Sequence, residues 1–335
     1  MVMDFHAPKS IFLAPFLRLG FHNFGWAGVD IFFVLSGFLI GGLLVKEWKQ
    51  YRRIDIRRFL VRRGFKIWPQ YYVFLLANLL TGHRTLRQLW GNLLNIHVGG
   101  IPHTWTLAVE EHAYLLLVAL LAFAARIELR TRQLFLSVGI ACIVIVVWRL
   151  FLSDHGINTF TRTDTRIDGI LYGLLLAMLY HFAPNLFLGL QAQRYLWCGI
   201  ILAMLIYLRI APTDRWWFGP FACVCADATG IALLLLLYHH QPGKAQPAPY
   251  RLVAWVGLYS YGIYLWHVSV ISTTVDLASR LSPRLTVALD LTTPILLGIA
   301  AGVITTKLVE LPTLKLRDRL FPKRIDSPVD PARAN

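Results

Sequence analysis

Residues 28–40 read Gly28-Val-Asp-Ile-Phe-Phe-Val-Leu-Ser-Gly-Phe-Leu-Ile40, and Asp30 is the one charge in the run. The apolar stretch extends over residues 26–45, about the 20 residues that a helix needs to cross a bilayer. Lipid offers no partner to a backbone N–H or C=O, so such a run is helical across its whole length. An acid kept inside it carries a free-energy cost and marks a functional candidate.

The same pattern recurs along the chain. Nine runs read as spans, at about 26–45, 59–81, 104–125, 133–152, 167–183, 196–211, 218–238, 253–275 and 286–310. The expected fold is an all-α polytopic transmembrane bundle over residues 1–320, with a truncated first helix at residues 1–6. Residues 321–335, with three prolines and little apolar content, read as a disordered cytoplasmic tail. Across 335 residues, 56% are hydrophobic and 15% charged, with a mean hydropathy of +0.55, outside the range of ordinary soluble domains.

The net charge of +15 would suggest nucleic acid in a soluble protein. Here the basic residues fall between apolar runs and leave no folded domain to present a basic face, so nucleic-acid binding is not expected. With the 46–66 connection placed inside, alternation puts 22 Lys and Arg on that side, 10 on the other, and Arg149 within a span. That is the positive-inside bias of a multi-pass protein. Cys142, Cys198, Cys223 and Cys225 all lie in apolar stretches, and Cys223-Val-Cys225 is not zinc spacing, so no metal site is expected. Gly37/Gly41, Gly169/Gly173 and Gly298/Gly302 are spaced for close helix packing.

The charged residues within the spans divide by side. Asp30, Glu110, Glu111, Arg166, Asp168 and His267 come from different spans, yet all fall toward the outer face, with His6 at a similar depth. His103, Leu107, Glu110, Glu111 and Tyr114 share one helical face, as do Ser260, Tyr264 and His267. Polar groups could therefore converge between bundled helices, either as a site or as internally paired structural groups. At the inner end, Arg57, Arg58, Arg62, Arg63 and Lys66 lead into Trp68-Pro-Gln-Tyr-Tyr72. Most of that run reads as lipid-headgroup contact. Arg63 and Lys66 lie deeper, on one face, and could grip a phosphorylated ligand. Pro69 is expected to kink this helix.

These segments resemble the acyltransferase 3 family of membrane O-acyltransferases. Gly28–Ile40 is similar to its second-helix signature, and Arg62-Arg63-Gly-Phe-Lys-Ile-Trp-Pro69 with Tyr71-Tyr72 to its Arg-rich third-helix start. His103-Thr-Trp-Thr-Leu-Ala-Val-Glu-Glu111 resembles its Trp-Ser-Leu-x-x-Glu motif, and Tyr259-Ser-Tyr-Gly-Ile-Tyr-Leu-Trp-His267 a late-helix motif. The resemblance implies transfer of an acyl group, by default acetyl, from cytoplasmic acyl-CoA to a hydroxyl of a cell-envelope glycan or related acceptor. No permanently bound cofactor is implied.

By position the family's essential histidine is His6, its Arg-x-x-Arg pair is Arg63 and Lys66 at the CoA end, and its motif glutamate is Glu110. Lys66 stands for an arginine, keeping charge without the planar fork, and Thr106 stands for a serine. Almost all of the first helix is missing before His6, so the expectation is a late-called start or a truncated, inactive member.

The expected mechanism is general-base catalysis by neutral His6, with Asp30 or Glu110 orienting the imidazole. An acyl-His6 intermediate is equally allowed. Arg166, Asp168, His267 and Trp105 are the candidates for acceptor binding. The rival function is a transporter or flippase of a polar or lipid-linked substrate, which also holds charges at mid-membrane depth. A non-catalytic membrane scaffold is a third.

Overall fold

The computed structural model describes residues 25–82, 84–94, 100–210, 215–238, 248–281 and 292–322. His6, the remnant of the first helix and residues 323–335 of the expected tail lie outside the described residues. All regular structure among the described residues is helical. The helices are α1 (Ala27–Tyr51), α2 (Ile56–Leu80), α3 (Leu86–Leu93), α4 (Trp105–Arg126) and α5 (Thr131–Asp154). Then come α6 (Thr163–Arg166), α7 (Asp168–Phe182), α8 (Pro184–Ala192), α9 (Arg194–Ile210) and α10 (Phe218–Leu237). The last are α11 (Ala248–Leu281), α12 (Thr292–Thr305) and α13 (Leu311–Leu320), the final two joined through a π-helical turn at Thr306–Glu310.

Each expected run has a helix, but the expected number of spans is not supported. Among the described residues five spans are long and apolar enough to cross a membrane: Ala27–Tyr51, Pro102–Arg126, Thr131–Asp154, Phe218–Leu237 and Ile295–Leu320. The pair α7 and α8, bent by 115°, makes a sixth if taken as one. Helix α2 falls short because it carries polar groups on its buried side. Gln70 Nε2 donates to Thr305 Oγ1 (3.0 Å), the Tyr71 hydroxyl to the Asn92 carbonyl (2.8 Å), and Asn78 receives the Ser269 hydroxyl (3.3 Å). Hydropathy scores such a helix as marginal, although each of these residues bonds to a neighbouring helix, with Gln70 Oε1 left without a partner among the described residues.

Helix α1 is the centre of the bundle, packed on α7 most extensively and also on α10 and α4. Glycines set its approach to α7. A Cβ on Gly37 would meet the Ile170 carbonyl, and one on Gly173 would meet the Val34 carbonyl. Gly262 and Gly302 serve the α11–α12 crossing in the same way. Backbones in such contact gain the dispersion that replaces the hydrophobic effect inside lipid.

Helix α1 ends at Arg52, whose backbone is left-handed (φ 55°) and whose N–H returns to the Trp48 carbonyl (2.8 Å). Asp55 then caps α2 by accepting from the Arg58 N–H (3.0 Å). Helix α2 runs on through Pro69, which cannot donate to the Phe65 carbonyl four residues back. Thr313 Oγ1 of α13 approaches that carbonyl instead (3.4 Å). Phe321 and Pro322, placed in the tail by sequence, fold back onto α2: Arg62 donates to the Phe321 carbonyl and Arg58 to the Pro322 carbonyl.

Candidate functional site

The residues grouped by depth in the sequence separate into three clusters in the structure. The first joins α1, α4, α5, α6, α7 and α10. Arg166 pairs with Asp30 (2.6 Å), and Arg149 pairs with Asp168 (2.7 Å) while also donating to the Thr165 carbonyl (2.8 Å). All four side chains are at most 3% exposed. The Arg166 guanidinium also lies over the Phe160 and Trp105 rings, 5.0 and 5.6 Å from their centroids, and donates to Cys223 Sγ. Asp227 of α10 stands beside them, buried, with neither carboxylate oxygen hydrogen-bonded among the described residues. Three carboxylates thus share two guanidiniums.

The second cluster carries Glu110 away from Asp30. Ser36 Oγ donates to Glu110 Oε1 (2.6 Å) and lies 2.7 Å from the Tyr114 hydroxyl, which Arg63 also reaches. Arg63 sits 3.6 Å from Glu110 and 4.2 Å from the Tyr114 ring centroid. One turn further along α2, Lys66 pairs with Glu310, which is 1% exposed. Glu310 closes the π-helical turn, a local widening of the helix often found at functional sites. Each of the two deep cations therefore has a carboxylate partner. Glu111 faces elsewhere and accepts from Trp68 Nε1 (3.1 Å).

The third cluster holds His267. Its Nδ1 lies 2.5 Å from the Tyr264 carbonyl, and its ring is 5.4 Å from that of His103. His103 Nε2 reaches the Leu265 carbonyl (3.1 Å), and the Tyr264 hydroxyl donates to the His103 carbonyl (2.7 Å). His103, in the turn Pro102–Thr104 that leads into α4, thus meets α11 at His267 and the Leu265 carbonyl, and Trp105, the remaining acceptor candidate, packs with Arg166 in the first cluster.

Two cavities flank the second cluster. Where the C-terminal end of α1 meets the N-terminal end of α2 lies a cavity of about 570 Å³, bordered by Lys46, Arg58, Arg62, Arg63, Lys66 and Arg317, with Glu47 the only acid among its lining residues. Toward the other end of α1 a smaller cavity of about 200 Å³ reaches Glu110 between α1, α4 and α11.

Sequence reasoning passed over Asp227 and Glu310, although both lie in expected spans and the rule that flagged Asp30 applies equally to them. Arg149 was placed within a span but not joined to Asp168. Spacing carried no signal for Ser36, which reads as one more small residue on α1.

The acyltransferase 3 family model, described as an acyltransferase domain, matches residues 1–308. The peptidoglycan O-acetyltransferase OatA of Listeria monocytogenes is 26% identical over 315 residues, covering 82% of this chain and 50% of that protein. The O-acetyltransferase OatA of Staphylococcus aureus is 23% identical over 282 residues, covering 74% of this chain and 46% of that protein. The chain spans about half the length of these curated relatives. No solved structure matches.

Proposed function

Because the chain belongs to the acyltransferase 3 family, we propose that it is a multi-pass O-acyltransferase of a bacterial inner membrane. It takes an acyl group, by default acetyl, from cytoplasmic acyl-CoA and transfers it to a hydroxyl of an envelope glycan such as peptidoglycan. The observation that carries the donor assignment is the inner cavity. Six cations around about 570 Å³ suit a ligand rich in phosphate, and they lie on the side that the Lys and Arg bias assigns to the cytoplasm.

In this reading His6 accepts the proton of the acceptor hydroxyl. The hydroxyl oxygen attacks the thioester carbonyl, a C–O bond forms, the C–S bond breaks, and the proton passes from His6 to the departing CoA thiolate. Asp30 is the carboxylate we assign to orient the imidazole: its Oδ1 is held by Arg166, while Oδ2 has no hydrogen-bond partner among the described residues. Glu110 instead has Ser36 and Arg63 as partners. Arg166, Asp168 and Trp105 belong to the wall behind Asp30, where they hold it in place.

Membranes carrying the protein, given acetyl-CoA and peptidoglycan fragments, are expected to release free CoA with acceptor acetylation. His6→Ala should slow this by about 10²–10⁴-fold. An undiminished rate in that variant removes His6 from the role.

A further inference from the structure

The two cavities meet at the second cluster. Phe32 lines the smaller cavity, Ile40 lines the basic one, and Ser36 lies midway on the same face of α1, one turn from each. The same division holds across the helices. Arg63 borders the basic cavity, Glu110 borders the smaller one, and the two side chains are 3.6 Å apart. Arg63, Glu110, Ser36 and Tyr114 thus form a thin polar partition, held by side-chain contacts and not by backbone, between the basic cavity and a second space.

The walls of that second space say what suits it. Its hydroxyl groups are engaged internally: Tyr261 donates to the Ile67 carbonyl (2.9 Å), Tyr264 to the His103 carbonyl (2.7 Å), and Thr106 lies 2.7 Å from the Tyr264 hydroxyl. Ser260 likewise donates to the Gly257 carbonyl (2.8 Å), so apart from the Glu110 carboxylate at the partition the lining offers an entering molecule hydrocarbon from Phe32 and Leu107 and few donors. A sugar ring would leave its own acceptors unmatched there, whereas an alkyl chain loses nothing. The volume of about 200 Å³ is several times the roughly 30 Å³ that one water occupies in the liquid, so it exceeds the need of a single methyl group.

We propose that this space is the acyl chamber of the enzyme. The donor's phosphates occupy the basic cavity, its acyl end passes the Arg63–Glu110 partition, and the chamber accepts chains longer than acetyl. The inference rests on the acyl-CoA reading above and adds to it the place and selectivity of the acyl group.

The test is equilibrium binding of CoA and of acetyl-, butyryl- and hexanoyl-CoA to the full chain in lipid nanodiscs, with empty nanodiscs subtracted. Each methylene buried should raise affinity by about two- to fourfold, which over the four methylenes from acetyl to hexanoyl gives roughly 16–250-fold. Leu107→Trp, which fills the chamber, should flatten this dependence. Phe32→Ala, at a side chain 43% exposed, should keep or extend it. Leu116→Trp on the outer face of α4 is the control and should follow the unmodified chain. Affinity independent of chain length in the unmodified protein, or a Leu107→Trp profile as steep as the original, overturns the proposal. Failure to bind CoA in any form removes the donor reading itself, and the chamber with it.

Discussion

Replacing Arg149 with methionine is expected to destabilise the protein by about 3–5 kcal/mol. The reason is the state in which it leaves Asp168. Both side chains of the pair are 1% exposed, so the orphaned carboxylate would have neither water nor its guanidinium partner. The Thr165 carbonyl would lose its donor as well. Heating the purified protein in mild detergent and following the monodisperse fraction should show Arg149→Met lost at much lower temperature. The double variant Arg149→Met/Asp168→Leu should recover most of that loss, because a buried ion pair exchanged for apolar groups of similar size is often neutral. If the double variant is as unstable as the single one, the pair is not the source of the effect. Acyl transfer should follow the folded fraction in both variants, because in the proposed reaction Asp168 supports the cluster that holds Asp30 without touching the substrate.

Arg63→Ala is expected to raise the donor KM by about 10–100-fold, the range for losing one or two hydrogen bonds to a charged group. Arg63→Lys should recover part of this, since charge survives but the planar fork for phosphate does not. The effect has a second component. Without Arg63, Glu110 keeps Ser36 as partner but loses its counter-charge, so kcat should fall too. Pairing Arg63→Ala with Glu110→Gln separates the two: the KM effect should remain, and part of the kcat effect should reverse. The equivalent experiment at Lys66 needs Glu310→Gln beside it, because Glu310 is 1% exposed and would otherwise be stranded. A donor KM unchanged in Arg63→Ala contradicts its place in the phosphate cavity.

Helix positions were largely legible in the sequence, because in lipid an apolar run has few alternatives to a helix. The nine expected runs lie on helices from α1 to α12, with boundaries displaced by only a few residues in most cases. What hydropathy could not settle was which of these helices cross. Helix α2 carries cations at one end and Gln70, Tyr71 and Asn78 on its buried face, so its composition resembles that of an interfacial helix. The site was legible as a depth but not as a partnership. Depth follows from counting residues along a helix. Which acid meets which base depends on the angle at which each helix faces its neighbours, and that is set by close crossings such as Gly37 on Ile170. Asp30 and Glu110 therefore looked interchangeable in sequence, yet one is held by Arg166 and the other by Ser36 and Arg63. Asp227 and Glu310 were readable by the same rule as Asp30, and the π-helical turn that presents Glu310 had no sequence signal.

In the proposed reaction the acyl donor enters from the side of the basic cavity and the acyl group leaves on a hydroxyl acceptor. This route is tested most directly with sealed vesicles of known orientation, supplied with labelled acetyl-CoA, which cannot cross the bilayer unaided. Vesicles exposing the α1–α2 connection, with Lys49, Arg52 and Arg53, to the added donor should transfer label to a hydroxyl acceptor and release CoA. Vesicles of the opposite orientation should do neither until they are permeabilised. Equal transfer in both orientations, or no thioester consumption in either one after permeabilisation, would contradict the account.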